Sequence, residues 1–196
     1  MLDIINNNYI DTSSPYAISR FSNLIIKHLK ENLKDKQKII ILCIGTDRST
    51  GDSLGPLVGY KLAPHITCYD GVYLMGTLNE PVHAKNLEDK IHEINTNYKD
   101  ALVIAIDASL GNIDKIGYVN IKNGPLKPGL GVNKDLPIIG DISITGVVNI
   151  KGMMEYMILQ NTRLSLVMNM ADVIAKSLNR ALFKIFNNNY KEGTNL

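Results

Sequence analysis

The chain has 196 residues, 45% hydrophobic and 20% charged, with a formal net charge of +2. That balance is ordinary for a soluble globular protein. The small charge, with Asp and Glu interspersed among Lys and Arg, argues against a nucleic-acid-binding face. The length suits one domain with a substantial core, residues 1–196, in which 1–12 and 190–196 are expected to be flexible. The two cysteines, Cys43 and Cys68, make no disulfide framework and fit a reducing cytoplasm. The first residues, MLDIINNNYIDTSSPY, lack a positive n-region and an apolar h-region, so no secretory signal is expected. No apolar run approaches the roughly 18 residues that would cross a bilayer.

In chain order, the Asn-rich residues 1–12 predict a loose arm. Ser13-Ser14-Pro15 then supplies a capping residue and a first-turn proline for an amphipathic helix over Tyr16 to Leu33. Six apolar residues, Ile39 to Ile44, predict a strand buried on both faces. A polar loop follows, and a helix is predicted from Leu54 to Leu62, ended by Pro64. Short strands are expected at His65–Tyr69 and Val72–Met75. A helix with Pro81 in its early turn should bring Val82, Leu87, Ile91 and Ile94 to the sheet. Ala101 to Ile106 reads as a second buried strand, and residues 108–115 as a polar loop. Ile116–Ile121 reads as a more exposed strand. Residues 123–140 hold Pro125, Pro128, Gly129, Gly131, Pro137 and Gly140, which excludes a regular element and marks a functional or mobile loop. The remainder predicts a strand at Asp141–Thr145, a helix at Val147–Leu159, a last strand at Arg163–Val167 and a closing helix at Met170–Phe186. Strands alternating with helices imply βαβ units and a mostly parallel sheet.

Two apolar runs end in comparable chemistry. The first passes through Gly45 and the loop TDRST to Gly51-Asp52 and Gly55; the second ends in Asp107. In open α/β sheets, sites are built at the carboxyl ends of the strands. If these strands are neighbours, Asp52 and Asp107 converge. Two close carboxylates share a proton, so one can activate a water while the other donates to a scissile carbonyl oxygen. The competing reading is that Asp52 caps the helix after the loop and Asp107 stabilises a turn. Gly45, Gly51 and Gly55 do not form a phosphate-binding pattern, and Asp47 and Asp52 would repel phosphate. Asp52, Glu80, His83 and Asp107 include oxygen and nitrogen donors, which keeps a metal-dependent hydrolase open as an alternative. A lone His such as His83 more often packs or faces solvent. No serine elbow appears, and a thiolate at Cys43 would be desolvated.

The segments CIGTDRSTGDSLGPLVG, GTLNEPVHAKNL, VIAIDASLG and KPGLGVNKDLPIIGDISITGVVN together resemble the spore protease family called YyaC, over about Lys38 to Leu182. That family is similar to the spore germination protease and more distantly to the hydrogenase maturation proteases. The resemblance implies an α/β fold: a three-layer sandwich with a mostly parallel or mixed sheet and helices on both faces, phosphorylase/hydrolase-like. It implies that Asp52 in GDSLGP and Asp107 in AIDAS are the catalytic aspartates of a cytoplasmic, sporulation-associated peptidase. The maturation proteases carry a Glu, an Asp and a His and bind nickel there. The third position falls here near Ser143 to Thr145, without a His, which favours an aspartate-only site with no cofactor. Gly45, Gly51 and Gly55 are expected to shape the site, with Glu80 in support and residues 129–140 bordering the cleft. The implied partner is a protein substrate such as the small acid-soluble spore proteins, with no direct nucleic acid and no membrane. An oligomer stays open, as does a non-catalytic sporulation protein built on a peptidase-like fold.

Overall fold

The computed structural model describes residues 8–33, 36, 38–129 and 136–192. Its centre is a six-stranded mixed sheet in the order β1-β5-β6-β4-β2-β3. The strands are β1 (Tyr9–Asp11), β2 (Ile39–Cys43), β3 (Val72–Met75), β4 (Leu102–Gly111), β5 (Tyr118–Asn123) and β6 (Ile142–Ile150). Strands β3, β2, β4 and β6 run parallel, while β5 and β1 add antiparallel pairings. The helices are α1 (Ala17–Leu33), α2 (Leu54–Ile66), α3 (Leu87–Asn97), α4 (Glu155–Gln160) and α5 (Leu164–Glu192).

Alternation along the strands sorts the core into two layers. Ile39, Ile41, Cys43, Ile104 and Ile106 face α1, α2 and α5, where Phe21, Ile25, Leu62, Ile174 and Leu178 are buried. Ile40, Leu42, Val103 and Ala105 face the other way, against Leu87 and Ile94 of α3 and against Leu126 and Leu136. With apolar partners on both faces, β2 is buried at every residue, as its unbroken apolar run requires. The architecture is therefore the expected three-layer α/β sandwich.

Several elements depart from the sequence reading, each for a local reason. The arm is not loose throughout: Ile10 is buried and pairs with Val119, making β1 an edge strand. Residues 1–7 and 193–196 lie outside the described residues, and α5 runs on to Glu192. Helix α2 continues through Pro64 to Ile66, so no strand forms at His65–Tyr69. Pro64 sits on the solvent face, while buried Leu62 and Ile66 hold the last turn to the core. Pro81 opens no helix. Val82 instead bridges to Ile44 in parallel, and α3 starts only at Leu87.

Residues 108–111 prolong β4 rather than forming a loop, because β6 pairs alongside as far as Ile150. The expected helix at Val147–Leu159 is split: its first four residues are strand and only its end is helical. The β-branched residues Val147, Val148 and Ile150 extend β6, and only Glu155–Gln160 is helical. The expected last strand, RLSLV, leads into the first turn of α5. Val167, Met170, Ala171, Ile174 and Leu178 recur at helical spacing and are all buried, whereas Leu164 is exposed.

Candidate active site

The strands end at different heights, and this creates the site. The last paired residues of β2 and β4 are Cys43 and Ile106. Asp107 is the next β4 residue, so it projects past the end of β2 on the α3 side of the sheet, where alternation also places Val103 and Ala105. The chain leaving β2 turns at once. The Gly45 N–H donates to the Val82 carbonyl at 2.8 Å, and the Thr46 N–H donates to the Asp52 carbonyl at 3.1 Å. Gly45 has φ +141°, and a side chain there would run into the Asp52 carbonyl oxygen. A side chain on Gly55 would strike the Ile44 backbone. The two glycines thus let the loop 46–53 fold back onto the strand end. Gly51 serves a different contact: its bare Cα receives Leu159 and Thr162 of the α4 region.

These elements enclose a cavity of about 260 Å³. Asp52 and Asp107 both line it, with Gly45, Thr46, Arg48 and Ser49 from the loop. Ala84, Lys85, Pro128, Leu136, Tyr156 and Leu159 supply most of the apolar wall and part of the rim. The sequence-predicted pair is therefore brought together, and Gly129 of the expected cleft border lines the same cavity. Residues 130–135 lie outside the described residues.

The two carboxylates occupy unequal settings. Asp107 is 5% exposed. Its Oδ1 accepts the Ala108 N–H at 2.8 Å, and the Gly129 N–H also bonds to it. Burial, and then the neighbouring charge of Asp52, push the Asp107 carboxyl well above its ordinary range, outweighing those two N–H groups. Asp52 is half-buried and also raised by burial, but the Thr46 N–H and the charge of His83 pull it back. A proton shared between them is held more readily by Asp107, leaving Asp52 the more available base.

Glu80 is not part of this arrangement. It sits exposed in a turn, where its carbonyl accepts the Thr77 N–H at 3.1 Å, and it does not line the cavity. His83, three residues on, does. Sequence reasoning considered His83 only as a metal donor and passed over Ser49, Arg48 and Lys85. Only their closeness in the chain to Asp52 or Glu80 pointed to them. Tyr156 and Leu159 gave no signal, since their wall forms only because α4 packs on the turn at Gly51. Among the described residues, no three His, Cys, Asp or Glu side chains converge closely enough to hold a metal ion. No helix among them is long and apolar enough to cross a membrane.

The fold is similar to that of the [NiFe] hydrogenase maturation protease HycI from Thermococcus kodakarensis KOD1. The TM-score is 0.53 at 21% sequence identity, over 79% of this chain and 97% of that one. In sequence, the chain is 57% identical to the uncharacterized protein YyaC of Bacillus subtilis (strain 168) over 170 residues, which is 87% of this chain and 81% of the relative. Residues 9–177 match the family described as Protein of unknown function (DUF1256), and the chain belongs to that family.

Proposed function

We propose that the protein is a peptidase in which Asp52 and Asp107 activate water against a peptide bond. The observation that carries this reading is the pair itself: two carboxylates from distant parts of the chain, both raised by burial, lining one largely apolar cavity. An ordinary capping role would leave each carboxylate near solvent with only its own turn to serve. The likeness of the fold to a maturation protease is consistent with this chemistry.

The steps balance without a covalent intermediate. Asp52 takes a proton from water as the water oxygen attacks the carbonyl carbon, and Asp107 gives its proton to the carbonyl oxygen. As the resulting diol collapses, the C–N bond breaks. The amine nitrogen receives the proton held by Asp52, and Asp107 recovers one from a hydroxyl. The Ala108 and Gly129 N–H groups hold the Asp107 carboxyl in place throughout.

The resemblance of GDSLGP, AIDAS and the flanking motifs to spore proteases supports a sporulation substrate, with small acid-soluble spore proteins as the first to test. The purified protein is incubated with those proteins and with extract from sporulating cells, beside Asp52→Asn and Asp107→Asn. Cleavage by the native chain and by neither variant is expected. Cleavage that survives both substitutions removes the pair from the chemistry.

A further inference from the structure

The segment before α3 is held with more care than a connecting loop needs. Val82 bridges Ile44, and its carbonyl accepts the Gly45 N–H. The Asn86 side chain fastens the same stretch from the other side, its Oδ1 accepting the His83 N–H at 2.8 Å and its Nδ2 donating to the Pro81 carbonyl at 3.0 Å. Between these anchors, His83 is set into the cavity beside the loop that carries Asp52. Its Nδ1 is buried and has no hydrogen-bond partner among the described residues. An unpaired buried ring nitrogen is unfavourable unless it serves a purpose. A core histidine kept for packing would be expected to find a partner, as His28 does with Asn123 at 2.6 Å. Arg48 from the loop and Lys85 from the same segment as His83 also line the cavity, and Asp107 of β4 is the other titratable group facing Asp52 there.

We propose that His83 is the charge partner of Asp52 and a positioning residue of the site, which gives Asp52 the base's part and leaves the acid's to Asp107. This rests on the peptidase reading of the same cavity. His83 does not touch the reacting atoms; it acts through Asp52, whose carboxylate it favours in the charged form.

The test follows the side-chain carboxyl carbons of Asp52 and Asp107 by NMR across pH, in the full-length protein and in His83→Gln. No substrate is needed, so failure of the peptidase reading and failure of this one are separable. In His83→Gln the Asp52 midpoint is expected to rise. His83→Asn, which also removes the ring's charge, should give the same rise and serves as the second variant if His83→Gln does not fold. Where cleavage is measurable, His83→Gln should lose about threefold or more of kcat/KM at pH 5.5 and little at pH 8. His83→Lys, which restores a positive charge, should recover part of that loss. An Asp52 midpoint identical in the native protein and in a folded His83 variant overturns the proposal.

Discussion

Replacing Asp107 by Asn should abolish the chemistry while making the protein more stable at neutral and alkaline pH. Asp107 is buried, and Asp52 lines the same cavity close enough for its charge to be felt. In the native fold its carboxyl holds a proton over a pH range in which the unfolded chain, with an ordinary value of about 4, has already released it. Its contribution is therefore fully present at low pH and is lost as pH rises from about 4 towards the raised native value. Asn carries no charge and lacks this dependence. The substitution exchanges one carboxyl oxygen for an NH2 donor, and a backbone N–H bonded to that oxygen would be left unpaired at about 1–3 kcal/mol. Against that stands the burden of a carboxylate in a dry site, several kcal/mol per buried ion.

The variant should thus be equal to or slightly weaker than the native protein at pH 4–5. By pH 8 it should be stronger, by on the order of 1–2 kcal/mol, read as roughly 2–8 °C in Tm for a chain of this size. The assay is thermal or urea unfolding of both proteins at several pH values. A loss of stability in Asp107→Asn that is the same at pH 5 and pH 8 would refute the reasoning. It would leave Asp107 as a carboxylate whose task is to hold the Ala108 and Gly129 backbone.

Other consequences are read more simply. Gly55→Ala sets a methyl against the Ile44 backbone, which cannot rotate aside, and should cost about 2–3 kcal/mol in urea unfolding. Gly146→Ala meets only the flexible ends of Leu54 and Met170 and should cost less; the reverse order would mean that the loop does not fold back on β2 as described. Glu80→Gln should leave cleavage within about twofold of native, since Glu80 is exposed outside the cavity, whereas Asp52→Asn removes it. Burial pushes the Cys43 thiol far above its ordinary range, while Cys68 is exposed. Mass spectrometry after iodoacetamide at pH 8 should therefore find one label on the folded chain and two in urea. Two labels on the folded chain would contradict the packing of β2.

The sequence carried the core of the site because two unbroken apolar runs each lead to an acid, Asp52 beyond a glycine loop and Asp107 at once, and parallel strands set such ends at one rim. Those grounds make Asp52 and Asp107 candidates beside a capping reading, and the motifs GDSLGP and AIDAS decide between the two. The regions that went astray share a physical cause: local pattern could not weigh tertiary partners. RLSLV alternates like a strand, yet Val167 continues a helical stripe through Met170 and Ile174. Val147 to Ile150 looked helical in context, but the open edge of β4 draws it into the sheet. Pro81 and Pro64 were read as punctuation without knowledge of which face is wet. The misread start of α3 had a cost at the site, since a helix beginning at Pro81 hides the extended bridge that carries His83 into the cavity. Glu80 was chosen from the same segment by charge, whereas the fold turns it outward.

The coupling of the two acids is measured most directly by titrating the Asp107 carboxyl carbon by NMR in the native protein and in Asp52→Asn. With the charge of Asp52 removed, the Asp107 midpoint should fall but stay above the ordinary aspartate range, since burial is its larger cause. A midpoint that does not move when Asp52 is replaced would show that the two carboxylates do not sense each other, and the water-activating pair would have to be abandoned.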